Sequence, residues 1–431
     1  MSAPLFQQFR TNLAVKNSEE ISGRYLSITR RLNKDYWNAP EQEYLHCLQV
    51  GSYGRKTAID GISDLDMAFE LPWSVHDCFI QRQGNIQSQL LGEVRDCLKI
   101  LYPSTTIKAD GQVVVVQFKN YRVEVLPAFI GKDGSYKFPD SNDGGSWKWC
   151  WPRDEIAAIQ TVHYRSNRNL KHICKMVRSW KNHQGAPMSG MLIDTLCYNF
   201  FMDTTKYDDK GYASYPELVR EVFDYIANRP EQDYWLAPGS KDRVYPNGNF
   251  RPKARKAANK CQEALDSEKD SSKEKLWKAV FGRPFPRTAS AQKSAYSGRV
   301  ATTTTEEFIE DEYPVDIQYD VRIECDMSYN GNDVQRLKWL ERIFPISIGK
   351  RLRFHVAYCS VPAPYDLMWK VRNVGEVAER RGIRGQLLED EGKQERVEKT
   401  DFPGPHFVEC YVIKDGVCVA RDRFDTPIGE G

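Results

Sequence analysis

The sequence predicts an α+β chain: a mixed sheet with helices and an attached helical lobe, followed by a small β-rich C-terminal domain. Three observations predict it. Between about residues 50 and 130, strand-type alternation surrounds a single helical stretch. From Arg168 to Asp203 the apolar residues recur instead at three- and four-residue spacing, and a charged helical stretch follows at Lys253 to Phe281. The run RPFPRTASAQKSAYSGRVATTTTEE then loses all apolar periodicity, and strand-like segments follow it. At 431 residues the chain exceeds one ordinary core. The expected division is 1–285, a linker at 286–310, and 311–431, with the helical lobe at about 155–285.

The elements follow in order. Ile21, Tyr25, Ile28, Leu32 and Tyr36 form the stripe of an amphipathic helix within Ser18 to Leu48. Gly51-Ser52 opens a turn, after which Leu65, Met67, Phe69 and Leu71 alternate as a strand with one buried face. A helix is expected over Ile86 to Leu101. Val113 to Phe118 and Tyr121 to Phe129 read as a hairpin turning at Lys119-Asn120. Leu170, Ile173, Val177 and Trp180 mark one helix, and Met191, Leu192, Leu196 and Phe200 a second, broken at Gly185-Ala186-Pro187. Lys253 to Phe281 reads as a charged helical stretch. Beyond the linker, Tyr313 to Asp326, Arg351 to Ser360 and His406 to Ala420 are strand-like, and Asp333 to Ile343 fits a short helix.

Composition narrows the function classes. With 61 basic against 59 acidic side chains, the overall field gives no hold on polyanions. The eleven cysteines are an odd number without a Cys-x-x-Cys pair, which argues against a disulfide framework and a zinc site. The first twenty residues lack the apolar core of a signal peptide, and no uncharged run approaches the roughly 20 residues of a membrane span. A reduced, cytoplasmic protein is the expectation.

The chemistry concentrates in Gly51-Ser52-Tyr53-Gly54-Arg55-Lys56-Thr57, Ser63-Asp64-Leu65-Asp66 and Arg122-Val123-Glu124-Val125-Leu126-Pro127. Residues i and i+2 of a strand share a face, so Asp64 and Asp66 stand side by side, roughly 7 Å apart at the backbone. Two carboxylates that close favour a cation between them. Glu124, on the second strand of the hairpin, can add a third acidic oxygen. That set suits two metal ions roughly 3.5 to 4 Å apart that clamp the attacking and leaving oxygens of a phosphoryl displacement. Gly51 admits a phosphate close to the backbone, and Ser52 can donate to it. Singly, an Asp-x-Asp is an ordinary surface strand and a Gly-Ser an ordinary turn; together, in this order, they read as a catalytic set.

This pattern resembles the signature of the cGAS/DncV-like nucleotidyltransferases, bacterial relatives of cGAS and oligoadenylate synthase within the DNA polymerase β-like superfamily. The resemblance covers about residues 20 to 285, including Phe138-Pro139-Asp140, Trp147, Trp151 and Pro152. It implies a polymerase β-like core, two Mg²⁺ (or Mn²⁺) ions on Asp64, Asp66 and Glu124, and nucleoside triphosphates (NTP or dNTP) as substrates. It also implies Gly51, Ser52, Arg55, Thr57, Arg178, Lys181 and Ser189 as nucleotide contacts, and a separate effector protein that reads the product. Family members generally carry Asp at the third position, and Glu124 adds one methylene, about 1.5 Å of reach.

The run from Met368 to Gln386 is rich in Trp, Arg and Gly, and with His406 to Arg423 resembles the adenylyl/guanylyl cyclase and SMODS C-terminal sensor domain. A base stacking on Trp369, with Lys370, Arg372 and Arg384 at the phosphates, is the expected sensor pocket. The implied activity is condensation of NTPs into a cyclic or short linear second messenger in bacterial antiphage signalling. Three other readings stay open. One is synthesis of DNA oligomers primed on the chain's own tyrosine, as in Hailong-type relatives, with Tyr296 a candidate. The others are nucleotidyl transfer to tRNA or protein, and a non-catalytic nucleotide sensor.

Overall fold

The computed structural model describes residues 2–16, 18–61, 64–287, 307–329, 333–337, 346–381 and 384–429. Ser63, Tyr296 and most of the expected linker lie outside the described residues. The chain divides into two compact units, Met1–Ser297 and Gly298–Gly431.

The first unit begins with helices α1 (Ser2–Asn12) and α2 (Ser18–Trp37), strand β1 (Cys47–Gln49) and the single turn α3 (Gly51–Gly54). Strand β2 (Asp64–Glu70), helices α4 (Trp73–Phe79) and α5 (Ile86–Leu101), and strands β3 (Thr106–Asp110), β4 (Val113–Gln117) and β5 (Arg122–Ile130) follow. Strands β6 (Tyr136–Asp140) and β7 (Ser146–Cys150) complete a seven-stranded sheet of order β1-β2-β5-β4-β3, with β6 pairing β5 and β7. All its pairs are antiparallel except β2 with β5. The expected hairpin is β4–β5, turning where the sequence places it. Strands β6 and β7 carry no sequence expectation, because β7 buries no side chain to give it a periodic face.

Alternation on β2 and β5 sends Leu65, Met67, Val123 and Val125 into one core, shared with Ile28 and Leu32 of α2 and Leu90, Leu91 and Val94 of α5. Leu48, Ala68, Ala128, Tyr136, Phe138 and Ile156 form a smaller core of their own. The helical lobe comprises α6 (Pro152–Arg165), α7 (Asn169–Gln184), α8 (Gly190–Asp203), α9 (Tyr215–Ala227), α10 (Arg251–Asp266) and α11 (Asp270–Phe281). A two-stranded ribbon, β8 (Trp235–Leu236) with β9 (Arg243–Val244), lies between α9 and α10. The stretch read as one charged helix, Lys253 to Phe281, is two, since Ser267 turns to an extended backbone. Helix α1 joins this lobe through Phe6 and Phe9, whose rings pack on Trp277, Phe281 and Phe285.

The second unit holds β10 (Val321–Tyr329), β11 (Asp333–Leu337), β12 (Ile346–Ser347), β13 (Arg351–Cys359), β14 (Asp366–Arg372), β15 (Leu387–Glu389), β16 (Glu395–Lys399), β17 (Gly404–Lys414) and β18 (Val417–Gly429). They form sheets of order β11-β10-β13-β16 and β12-β18-β17-β14-β15 around one core, with Ile323, Cys325 and Phe354 from one and Trp369, Val408 and Phe424 from the other. Two expectations are corrected. Asp333–Leu337, read as the start of a helix, is a strand, because its backbone pairs with β10; the remainder of that stretch lies outside the described residues. His406 to Ala420, read as one strand, is the β17–β18 hairpin, turning at Asp415-Gly416, both at positive φ.

Candidate active site

The site grows from the end of β1. Val50 donates its N–H to the Asp66 carbonyl at 3.0 Å, so the chain leaves β1 directly over β2. Gly51 takes φ +60°, and a Cβ there would lie 2.0 Å from Oδ2 of Asp66. Glycine is therefore required twice over at this position, by conformation and by space. Gly54 is held as tightly, since a Cβ would lie 2.1 Å from the Gln49 carbonyl oxygen. The half-buried Ser52 closes the turn by accepting the N–H groups of Thr57 and Ala58 at its carbonyl.

Parallel pairing sets β5 beside β2 with Asp64 opposite Arg122 and Asp66 opposite Glu124. All four alternate with fully buried apolar residues and are themselves only partly buried, which brings the three candidate carboxylates to one end of the sheet. Arg122 lies among them: its Nε is 2.8 Å from Oδ1 of Asp64, and a terminal nitrogen is 2.8 Å from Oε1 of Glu124. Burial, with the facing Glu124 and Asp64, pushes the Asp66 carboxyl up to about 6. Glu124 is also raised, chiefly by burial, against the opposing pull of Arg122.

A second cluster backs the turn. Arg55, Thr57 and Arg178, expected as nucleotide contacts, converge on Asp194, which is fully buried. Oδ2 of Asp194 accepts from Arg55 Nε at 3.0 Å, from the Thr57 hydroxyl at 2.9 Å and from Arg178 at 2.7 Å. Arg55 also donates to Glu155 at 2.9 Å, and Arg178 to the Gly190 carbonyl at 3.0 Å. Ser189 caps α8 by accepting the Leu192 N–H at 3.1 Å. Lys181 lies half-buried in the last turn of α7. Sequence reading missed Asp194 and Glu155, although Asp194 is the one acid inside the apolar run Met191-Leu192-Ile193-Asp194-Thr195-Leu196, and that isolation is a usable signal.

The four residues expected to line a sensor pocket do not share one. Trp369 has 1% of its surface exposed, lies in the inter-sheet core and donates its indole N–H to Asp390 at 2.9 Å, so its faces are closed to a stacking base. Lys370 is buried on the opposite face of β14, with Glu409 3.8 Å away. Arg372 donates to the Asn373 carbonyl, and Arg384 forms a bidentate pair with Glu398 at 2.7 and 3.1 Å. Only Arg384 borders the open cavity of about 450 Å³ whose floor includes Phe354 and Val408.

A mixed sheet that gathers acidic side chains beside a glycine turn, with a helical lobe attached, is the architecture of the polymerase β-like fold. Residues 2–162 match the Second Messenger Oligonucleotide or Dinucleotide Synthetase (SMODS) domain, and residues 303–429 the Adenylyl/Guanylyl and SMODS C-terminal sensor domain. The chain belongs to the cGAS/DncV-like nucleotidyltransferases of SMODS type, a family of cyclic dinucleotide and oligonucleotide synthases. It is 23% identical over 279 residues to the cyclic AMP-AMP-AMP synthase of Acinetobacter sp., covering 60% of this chain and 78% of that protein. A 23% identity over 189 residues with forkhead box protein I2 of Xenopus tropicalis covers 39% of this chain and about half of that protein, 51%. The E. coli MS115-1 CdnC structure, solved as a complex with HORMA-deltaN, superposes with a TM-score of 0.51 at 15% identity, covering 67% of this chain and 99% of that one, a likeness of fold. Among the described residues no helix is long and apolar enough to cross a membrane.

Proposed function

We propose that this chain condenses nucleoside triphosphates into a cyclic or short linear oligonucleotide, read by a separate effector protein in bacterial antiphage signalling, with magnesium held by Asp64, Asp66 and Glu124. The observation that supports it is the β2–β5 register, which sets Glu124 across from Asp66 and two residues of β2 from Asp64 along the same face. These side chains offer only hard carboxylate oxygens, the donors Mg²⁺ takes, and Asp66 is raised first by burial and then by the facing Glu124 and Asp64, whose charge a divalent cation would offset. The donor set fits the ion in kind. Among the described residues no three His, Cys, Asp or Glu side chains are grouped as a metal site, and Arg122 contacts both Asp64 and Glu124.

When bound, divalent ions supply Lewis acidity toward the triphosphate and a lowered pKa for the attacking hydroxyl. The residues of the chain do the rest. Glu124, raised from its ordinary value chiefly by burial, is placed to accept the proton of a substrate hydroxyl. The Gly51 turn, without a Cβ, lets the Asp66 carboxylate lie directly against its backbone, and the half-buried Ser52 beside it can donate to a phosphate. The likeness to the cyclic AMP-AMP-AMP synthase of Acinetobacter sp. favours a cyclic product.

Incubation of the full chain with labelled NTPs and Mg²⁺, followed by mass spectrometry, tests this. Pyrophosphate and a small oligonucleotide are expected from the native chain, and roughly 100-fold less or none from Asp64→Asn and Asp66→Asn. Nucleotide found covalently on the intact protein would move the reading to self-primed synthesis, and a product indifferent to both substitutions would end it.

A further inference from the structure

Arg122 has a place in the site that the metal reading leaves unexplained. It precedes Glu124 by two residues on β5, shares its face, and stands opposite Asp64 across the parallel ladder. One guanidinium therefore contacts two of the three carboxylates that a divalent ion would bridge, at 2.8 Å each. An exposed ion pair is ordinarily a weak and incidental contact. This one differs in its setting: Asp66 faces the same cluster, and the other nearby guanidinium, Arg55, is committed to Asp194 and Glu155. Among the described residues, the cation that touches this cluster, at Asp64 and Glu124, is thus Arg122, and it is tethered to the chain.

We infer that Arg122 is a built-in counter-ion, a positioning residue that holds Asp64 and Glu124 in the metal-free site and must be displaced when a divalent cation enters. The inference rests on the reading of Asp64, Asp66 and Glu124 as metal ligands. Displacement sets a penalty on the bare ion, since the guanidinium is already ion-paired with the Asp64 and Glu124 carboxylates that the ion needs. A triphosphate lowers that penalty, because it offers the planar, forked guanidinium new phosphate oxygens at the moment its carboxylates are taken. Metal and nucleotide would then load together, and an idle enzyme would stay largely free of metal.

The test is a Mn²⁺ titration of the full chain without nucleotide, free Mn²⁺ being read by electron paramagnetic resonance. Arg122→Gln is expected to bind Mn²⁺ roughly tenfold more tightly than the native chain, from the loss of one competing charge at contact distance. Arg122→Lys, which keeps the charge, should stay within about twofold of native. Asp66→Asn should weaken binding in the native and the Arg122→Gln backgrounds alike. A thermal melt establishes that each variant is folded, and Arg122→Met, of similar length, replaces Arg122→Gln should the latter fail to fold. Equal or weaker Mn²⁺ binding by the neutral variant, with Asp66 still required, overturns the role of Arg122 and leaves the metal reading intact. Binding indifferent to Asp66, or none in any variant, overturns the metal reading and the inference with it.

Discussion

Burial and two facing carboxylates push Asp66 up to about 6, whereas an aspartate in an unfolded chain ionises near 4. Between those values the native state keeps a proton that the unfolded state has released, so without divalent cation this group makes stability fall as pH rises from about 4 to 6. Asp66→Asn removes the contribution. Its unfolding free energy relative to the native chain, from chemical denaturation at each pH, is expected to climb through that window and level off above it, by an amount on the order of 2 kcal/mol. A constant difference across pH 4 to 7 would show that Asp66 titrates normally. The three carboxylates are legible from strand alternation alone, because each lies two residues from a partner on one face or on a hairpin strand of recognisable pattern. Arg122 shares that alternation, but its role depends on what stands across the ladder.

Among elements, the Asp194 cluster matters most. It ties the loop after α3, through Arg55 and Thr57, to α7 and α8, through Arg178 and Asp194 itself. Gly190 belongs to the same device, since a Cβ there would lie 2.3 Å from Arg178. Asp194→Ala leaves two largely buried guanidinium groups without their shared partner, and a loss of about 3–5 kcal/mol is expected from chemical denaturation. A loss below about 1 kcal/mol would mean that the arginines find water or nucleotide instead. Helices such as Ile86–Leu101 were legible to the residue, because one apolar stripe faces one core. Strand β14 was not: both its faces are covered, so Leu367 to Val371 are buried without alternation and Trp369 reads as an available platform.

At the scale of the whole molecule, each unit closes its own core. The clusters of the first unit run from Leu5 to Phe285, and those of the second from Ile309 to Phe424, with no residue in common. Separate fragments 1–287 and 307–431 are therefore each expected to unfold in one cooperative calorimetric transition. A fragment without such a transition would show that it depends on the other. The expected boundary rests on a loss of apolar periodicity in the sequence, since a segment with little apolar surface offers little to a core.

The sequence by itself determined the helices and strands that carry the site and the face of the sheet that Asp64, Asp66 and Glu124 occupy, because strand periodicity is a property of the local backbone. It also determined that Gly51 opens a turn ahead of them. Tertiary structure alone decided that β2 and β5 run parallel, that Arg122 falls between two carboxylates, and that Arg55, Thr57 and Arg178 turn toward Asp194. The reason is physical: a charged side chain takes its role from the nearest opposite charge, and that neighbour arrives from a distant part of the chain only when the sheet and the helices close.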